Sequence, residues 1–398
     1  MLRELLKRLL DLKPHLKEGP LSVQLEALIR EYRNTDMKPG KHAANLRLQA
    51  LRKGRWSPEE KQAAIAGGGG GDDAKAGVTM ADVKAFINRL FRSIETEGLA
   101  HGNVSLEDAE NLLVDIEKVT EEASRSRAAG DTATETASVE AFVYPEERVV
   151  KLDPAQHVFY CSPSKDPTEQ NCALELYWQV GLNHLHQRVL ADAIEQVMEE
   201  PLYDQLRTKE QLGYSVGCSP RVTFGVLGFC ITAQSAAYGP AHLYARVRAF
   251  VKSFRSTLAD MKDEAFSRNM ASAAANKLQP DNTLSEEAQR HWPEISSRRR
   301  AFHVNVEEAC VMKGLQKSAV LKAYDEWFST NGKGKPCLTI TVTGRGKFSM
   351  EEEARGLEAN IKEEADGASL KAVRISTPPE LYSPSDGRDV FPNLYARS

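Results

Sequence analysis

Residues 206–214 read Leu206-Arg-Thr-Lys-Glu-Gln-Leu-Gly-Tyr214 and mark a change of period in the chain. Before them, Val189, Leu190, Ala193, Ile194, Val197 and Met198 recur at helical spacing. Pro201 then interrupts, where proline suits the first turn of a new short helix with Leu202 and Leu206 on its apolar stripe. Gly213 is expected to supply the left-handed residue that ends this helix. From Tyr214 the period falls to two, with Tyr214, Val216 and Cys218 on one face and Ser215 and Gly217 on the other. The spacing therefore puts Arg207 on a helix and Tyr214 at the opening of a strand, with a tight turn between. A cation and a phenol held that way converge on one point. On physics alone the pair is ordinary, a solvated helix arginine and a half-buried strand tyrosine.

Around this stretch the pattern is of strands and hairpins. Gln156–Cys161 reads as a strand. Cys172, Leu174, Leu176, Trp178 and Val180 alternate with Ala173, Glu175, Tyr177 and Gln179, the signature of a half-buried strand. Thr223-Phe224-Gly225 turns Tyr214–Arg221 into Val226–Gln234, a hairpin with Leu227, Phe229, Ile231 and Ala233 on one face. Helical periods follow over 243–258, Asp263–Leu278, Leu284–Trp292 and Leu315–Phe328. Asn331-Gly332 breaks the last of these, and Leu338, Ile340 and Val342 form a closing strand. Strands joined by hairpins with segregated helices imply an α+β fold, an antiparallel sheet with helices over one face.

The N-terminal part is helical by pattern. Leu2, Leu5, Leu6, Leu9 and Leu10 share one face, Leu25, Leu28, Ile29 and Tyr32 another, and Ala43–Leu51 forms a third helix. Ser57 and Pro58 start a fourth, and Thr79 caps one that runs through Leu90. Ile94–Gly102 reads as a strand ending in His101-Gly102-Asn103, and Leu106–Ile116 as a helix. The five glycines within Ala66–Gly77 read as a flexible insert, and polar Glu121–Glu140 as a linker between domains.

Composition bounds the function. With 398 residues, 41% hydrophobic, the chain is long enough for two or three domains. A net charge of −4 argues against general nucleic-acid binding. No apolar run approaches a membrane span. The six cysteines include no C-x-x-C pair and read as reduced thiols, with a cytoplasmic location expected. Met1–Leu12 is basic and leucine-rich like an organelle presequence, but Glu4 and Asp11 favour an amphipathic core helix.

The segment Leu206–Tyr214 closely resembles the C-terminal half of the insulinase (pitrilysin-type) zinc metallopeptidases, the insulin-degrading-enzyme group. Gly98-Leu-Ala-His-Gly-Asn103, Met261-Lys-Asp-Glu264, Lys277-Leu-Gln-Pro280, Leu284-Ser-Glu-Glu287 and Arg290-His-Trp-Pro-Glu-Ile295 extend the likeness over about residues 20–350. The resemblance implies two homologous α+β domains, each an antiparallel sheet with helices packed on one face, the first lacking its opening strands. Residues 1–120 would be an incomplete third domain with its glycine-rich insert at 66–77, and 121–150 a linker. Residues 151–350 would be the fourth domain, and 351–398 a C-terminal helix and tail. It also implies that Arg207 and Tyr214 contact substrate near the scissile bond, with Tyr203 lining the same pocket.

The group's zinc motif, H-x-x-E-H, is absent. His15 is followed by Glu18 and then Gly19, and His184 and His186 lie two apart, on different faces of a helix. No P-loop, G-x-S-x-G elbow or cysteine-nucleophile signature appears, and Arg298-Arg-Arg300 reads as a solvated helix end. The expectation is therefore a chain that binds no cofactor itself and is inactive alone. Zinc would belong to a missing N-terminal half, from the same gene or a separate chain. Peptide substrates and that half are the expected partners, homo-oligomerisation is left open, and no nucleic acid or membrane is expected. The alternative is a non-catalytic scaffold or interaction subunit of the same superfamily.

Overall fold

The computed structural model describes residues 2–10, 16–67, 77–91, 95–128, 147–329, 334–365, 370–378 and 390–391. The glycine run after Gly67, most of the linker read at Glu121–Glu140, and Asn331-Gly332 lie outside them. The chain forms two compact units, one of Met1–Thr35, Trp56–Pro145 and Asp281–Arg300, the other of Asp36–Arg55, Glu146–Pro280 and Ala301–Ser398.

The described residues of the first unit are helical or irregular. They form α1 (Leu2–Leu10), α2 (Glu18–Arg33), α4 (Pro58–Ala66), α5 (Met80–Leu90), α6 (Leu106–Ala128) and α10 (Leu284–Ser296). The capping signals hold. Ser57 and Glu60 make a reciprocal capping box at α4, as Thr79 and Asp82 do at α5. Two expectations fail. The strand read at Ile94–Gly102 is absent over its described residues, because a strand needs a neighbour to pair with and this unit offers helices. Residues 121–128, read as the start of a linker, continue α6 instead. The apolar surface is incompletely covered: α2 buries no residue, and Phe86, Leu106, Leu284 and Trp292 stay exposed.

The second unit is built on a six-stranded sheet of order β3-β4-β2-β5-β1-β6. Its strands are β1 (Gln156–Pro163), β2 (Cys172–Leu182), β3 (Ser215–Thr223), β4 (Val226–Ser235), β5 (Cys337–Thr343) and β6 (Lys371–Arg374). Pairing is antiparallel except where β1 lies parallel to β5 and β6. The hairpin turn is the expected one, with Phe224 and Gly225 both left-handed (φ 44° and 76°). In such a hairpin the flanking pair Thr223–Val226 is hydrogen-bonded, so the odd-numbered residues of β3 bond to β4. Pro220 therefore falls on the outer edge, where its missing N–H breaks no ladder bond.

One sheet face carries α7 (Leu185–Leu202), α8 (Pro240–Asp260), α12 (Lys317–Phe328) and α13 (Met350–Ala365). Behind these helices lie α9 (Asp263–Lys277) and α11 (Val304–Lys313), and the pattern reading had not picked out α11. Leu174, Leu176 and Trp178 pack here with Leu227, Phe229 and Ile231, and the Trp178 and Phe328 rings meet edge to face at 4.9 Å.

The other face is covered too. Helix α3 (Pro39–Leu51), grouped by sequence with the first unit, lays Ala43, Leu46, Ala50 and Leu51 against Ala173, Tyr177, Cys230 and Ile340. This corrects the half-buried reading of β2, whose residues 172–180 are all buried. The Glu175 and Gln179 side chains of its second row are hydrogen-bonded, and Tyr177 has a cation at its ring. Arg47 Nε donates to Glu175 at 2.7 Å, and the Arg47 guanidinium lies 5.4 Å from the Tyr177 ring centre. Gln179 donates to the Val150 carbonyl at 2.9 Å and accepts from the Leu152 N–H at 2.8 Å.

Because the Arg47–Glu175 pair is buried on both sides, removing one partner strands the other charge. Arg47→Ala is expected to cost about 3–5 kcal/mol, measured by urea unfolding, and the paired change Arg47→Met with Glu175→Leu should cost much less. A single variant as stable as the parent would contradict the assignment.

Candidate functional site

Helix α7 runs through Pro201, contrary to the expectation that proline opens a new helix. Proline has no N–H for the i−4 carbonyl and crowds it, and the helix responds by widening. Tyr203–Lys209 is a π-helical segment. It closes when Glu210 N–H donates to the Gln205 carbonyl at 3.0 Å and Leu212 N–H to that of Leu206 at 2.8 Å. Such widened turns are frequent at functional sites.

The reversal into β3 uses Gln211, not Gly213, as its left-handed residue (φ 50°). Gly213 serves a different need. A Cβ there would collide with the Gln234 backbone carbonyl on β4, so glycine allows the chain to approach as it enters the sheet.

These elements bring Tyr203, Arg207 and Tyr214 together. The Arg207 guanidinium carbon lies 4.6 Å from the Tyr203 ring centre and 4.8 Å from that of Tyr214. Among the described residues Arg207 makes no hydrogen bond or ion pair. Its neighbour Lys209 is paired with Asp204 at 2.7 Å. Tyr203 is 43% exposed and Tyr214 84%. An exposed cation–π contact contributes about 0.5–1 kcal/mol, enough to orient a side chain and too little to hold a fold. Two rings thus set the direction of the guanidinium while its five N–H donors stay available. The arrangement suits an acceptor arriving from solvent, such as a carbonyl or carboxylate.

Spacing within the motif did not reveal the next layer. Arg246 on α8 donates through Nε and Nη2 to the two oxygens of Glu210, both at 2.8 Å, and Gln205 Nε2 donates to the same carboxylate at 2.8 Å. The bonds from Arg246 hold the Glu210 carboxyl below its ordinary range. No local signal links positions 36 residues apart. Arg246 is one of several charged residues on α8, with Arg248, Lys252 and Arg255, and nothing local distinguishes it.

Metal ligation does not fit the described residues. No group of three His, Cys, Asp or Glu side chains is placed to hold an ion. His184 is the N-cap of α7 and His186 lies in its exposed first turn. His101 meets Glu287 at 3.2 Å within the first unit. Arg299 and Arg300 of the basic run pair with Glu294 and Glu97. No helix among the described residues is long and apolar enough to cross a membrane.

The fold is that of the pitrilysin-type (M16) peptidases. It superposes on the crystal structure of pitrilysin with a TM-score of 0.65 at 15% identity, covering 95% of this chain and 35% of that one. A protease from Helicobacter pylori gives 0.52 at 14% identity, over 82% of this chain and 72% of that one. Residues 193–292 match the family described as PQQ synthase PqqF-like, C-terminal lobe domain 4. The chain is 29% identical over 351 residues to a nardilysin-like protein of Arabidopsis thaliana, covering 87% of this chain and 32% of that protein. It is 27% identical over 323 residues to the insulin-degrading enzyme of Homo sapiens, covering 80% and 29%. The chain is thus a homologue of insulinase-type metallopeptidases, and it spans about a third of the length of these relatives.

The close approach at Gly213 makes a direct test of the turn. Gly213→Ala should lower stability by about 1–3 kcal/mol through overpacking, read as a fall in thermal midpoint. An unchanged midpoint would mean that the turn does not press on β4.

Proposed function

We propose that this chain is the metal-free, substrate-contacting part of an insulinase-type metalloendopeptidase. In this reading residues 1–120 correspond to an incomplete third domain and 151–350 to the fourth. The metal that activates water is supplied by a zinc-bearing N-terminal half. Arg207 directs its donors at the peptide carbonyl under attack, where negative charge develops on oxygen. Tyr214 adds a phenol donor to the same carbonyl, and Tyr203 lines the approach. A peptide is the expected substrate, and the zinc-bearing half the expected partner.

One observation carries this reading: an arginine oriented by two tyrosine rings, with no polar partner among the described residues. Homology to nardilysin and insulin-degrading enzyme supports the reaction class.

In an assembly restored with a zinc-bearing N-terminal half, Arg207→Ala and Tyr214→Phe should each lower peptide turnover. Loss of one oxyanion donor typically costs about 3 kcal/mol, on the order of a hundredfold. Arg207→Lys should recover only part of this, because an ammonium lacks the planar fork. Stability of the isolated chain should hardly change. Turnover indifferent to both losses would overturn the proposal.

A further inference from the structure

The segment joining Arg207 to Tyr214 must hold two side chains in register across a helix end, a reversal and a strand start. Its hydrogen bonds are few: the Glu210 and Leu212 N–H groups each reach back to a carbonyl of the widened turn. Gln211 sits in a left-handed conformation unusual for a residue with a side chain. These local contacts alone are a slender support for the reversal.

The tie comes from α8. Its inner face, with Leu243, Val247 and Phe250, is fixed in the main core. Its Arg246 reaches out and grips Glu210 through two parallel hydrogen bonds, both 2.8 Å long. The fork-to-fork contact fixes direction as well as distance. Gln205, inside the π-helical segment, holds the same carboxylate. One anion thus links the helix end, the reversal and the core helix. The pair is part-exposed, with Arg246 at 41% and Glu210 at 18% of full side-chain exposure. Ion pairs in such a setting add little to global stability.

We infer that Glu210 and Arg246 are positioning residues, whose two-point ion pair holds the reversal so that Tyr214 stays beside Arg207. This rests on the reading of Arg207 and Tyr214 as substrate contacts. The pair touches no substrate and acts through them.

Two readouts test it. In the chain alone, Glu210→Ala should speed amide hydrogen exchange at positions 210 and 212 at least tenfold. Exchange in β2 and β4 and the thermal midpoint should stay unchanged. In the restored assembly, Glu210→Ala should lower kcat/KM about tenfold, and Arg246→Lys, which keeps the charge but loses the fork, by less. The swap Glu210→Arg with Arg246→Glu should recover most of the loss. Glu210→Ala should add no further loss in an Arg207→Ala, Tyr214→Phe background, since with both donors gone the pair has nothing left to position. Unchanged exchange at 210 and 212 would overturn the inference, as would losses that multiply independently. If Arg207→Ala itself leaves turnover intact, the substrate-contact reading fails, and the exchange experiment still decides whether the pair holds the turn.

Discussion

A carboxylate in the middle of a buried strand has to meet a cation. Glu175 lies at the centre of β2, which is covered on both faces, and Arg47 is the group that meets it. The requirement fixes α3 on the second sheet face, because the guanidinium reaches the strand only if the helix lies across it. With α3 in place, Ala43, Leu46 and Leu51 find apolar partners in the alternate rows of β2, β4 and β5. The pair adds little attraction over an apolar pair of similar volume, but either charge left alone would be costly. The pair joins α3 to β2 across this face.

That cover extends toward the candidate site through a single residue. Gln234, near the end of β4, meets α3 through its side chain, where a Cβ on Gly40 would stand 2.6 Å from its amide nitrogen. Its backbone carbonyl is the atom against which Gly213 lies as the chain turns into β3. The reversal is therefore seated on a strand held from the far face, and steadied from the near face by Arg246 on α8. Tyr203 and Tyr214 are exposed on the solvent side of this scaffold, with the Arg207 guanidinium beside both rings. Binding groups on such a scaffold can be exposed and still have a defined direction.

Much of this was legible in the sequence. The alternation in β2 and β4, the hairpin at Phe224-Gly225 and the helix caps at Ser57 and Thr79 follow from local period and turn chemistry, and the structure has them. Arg207 was placed on a helix end and lies on one, whereas Tyr214, expected to open the strand, sits one residue before β3. What was not legible depended on distant partners. The polar row of β2 looks solvent-facing until α3 is known to cover it. Gly213 looked like a conformational glycine, yet it is needed for the approach of a carbonyl 21 positions later in the chain. Ile94–Gly102 had the composition of a strand, yet its described residues, 95–102, pair with no strand among the described residues. Pro201 promised a helix start, and the helix absorbed it by widening.

Placing a photoreactive group at position 214 tests the central claim, that this surface receives an extended peptide, most directly. Tyr214→p-benzoylphenylalanine, just before β3, and, as a control near the far end of that strand, Val222→p-benzoylphenylalanine would each be irradiated in the restored assembly with a labelled peptide. The account predicts a cross-link from position 214 that excess unlabelled peptide suppresses, and none from position 222. Labelling from both positions alike, or from neither, would contradict it.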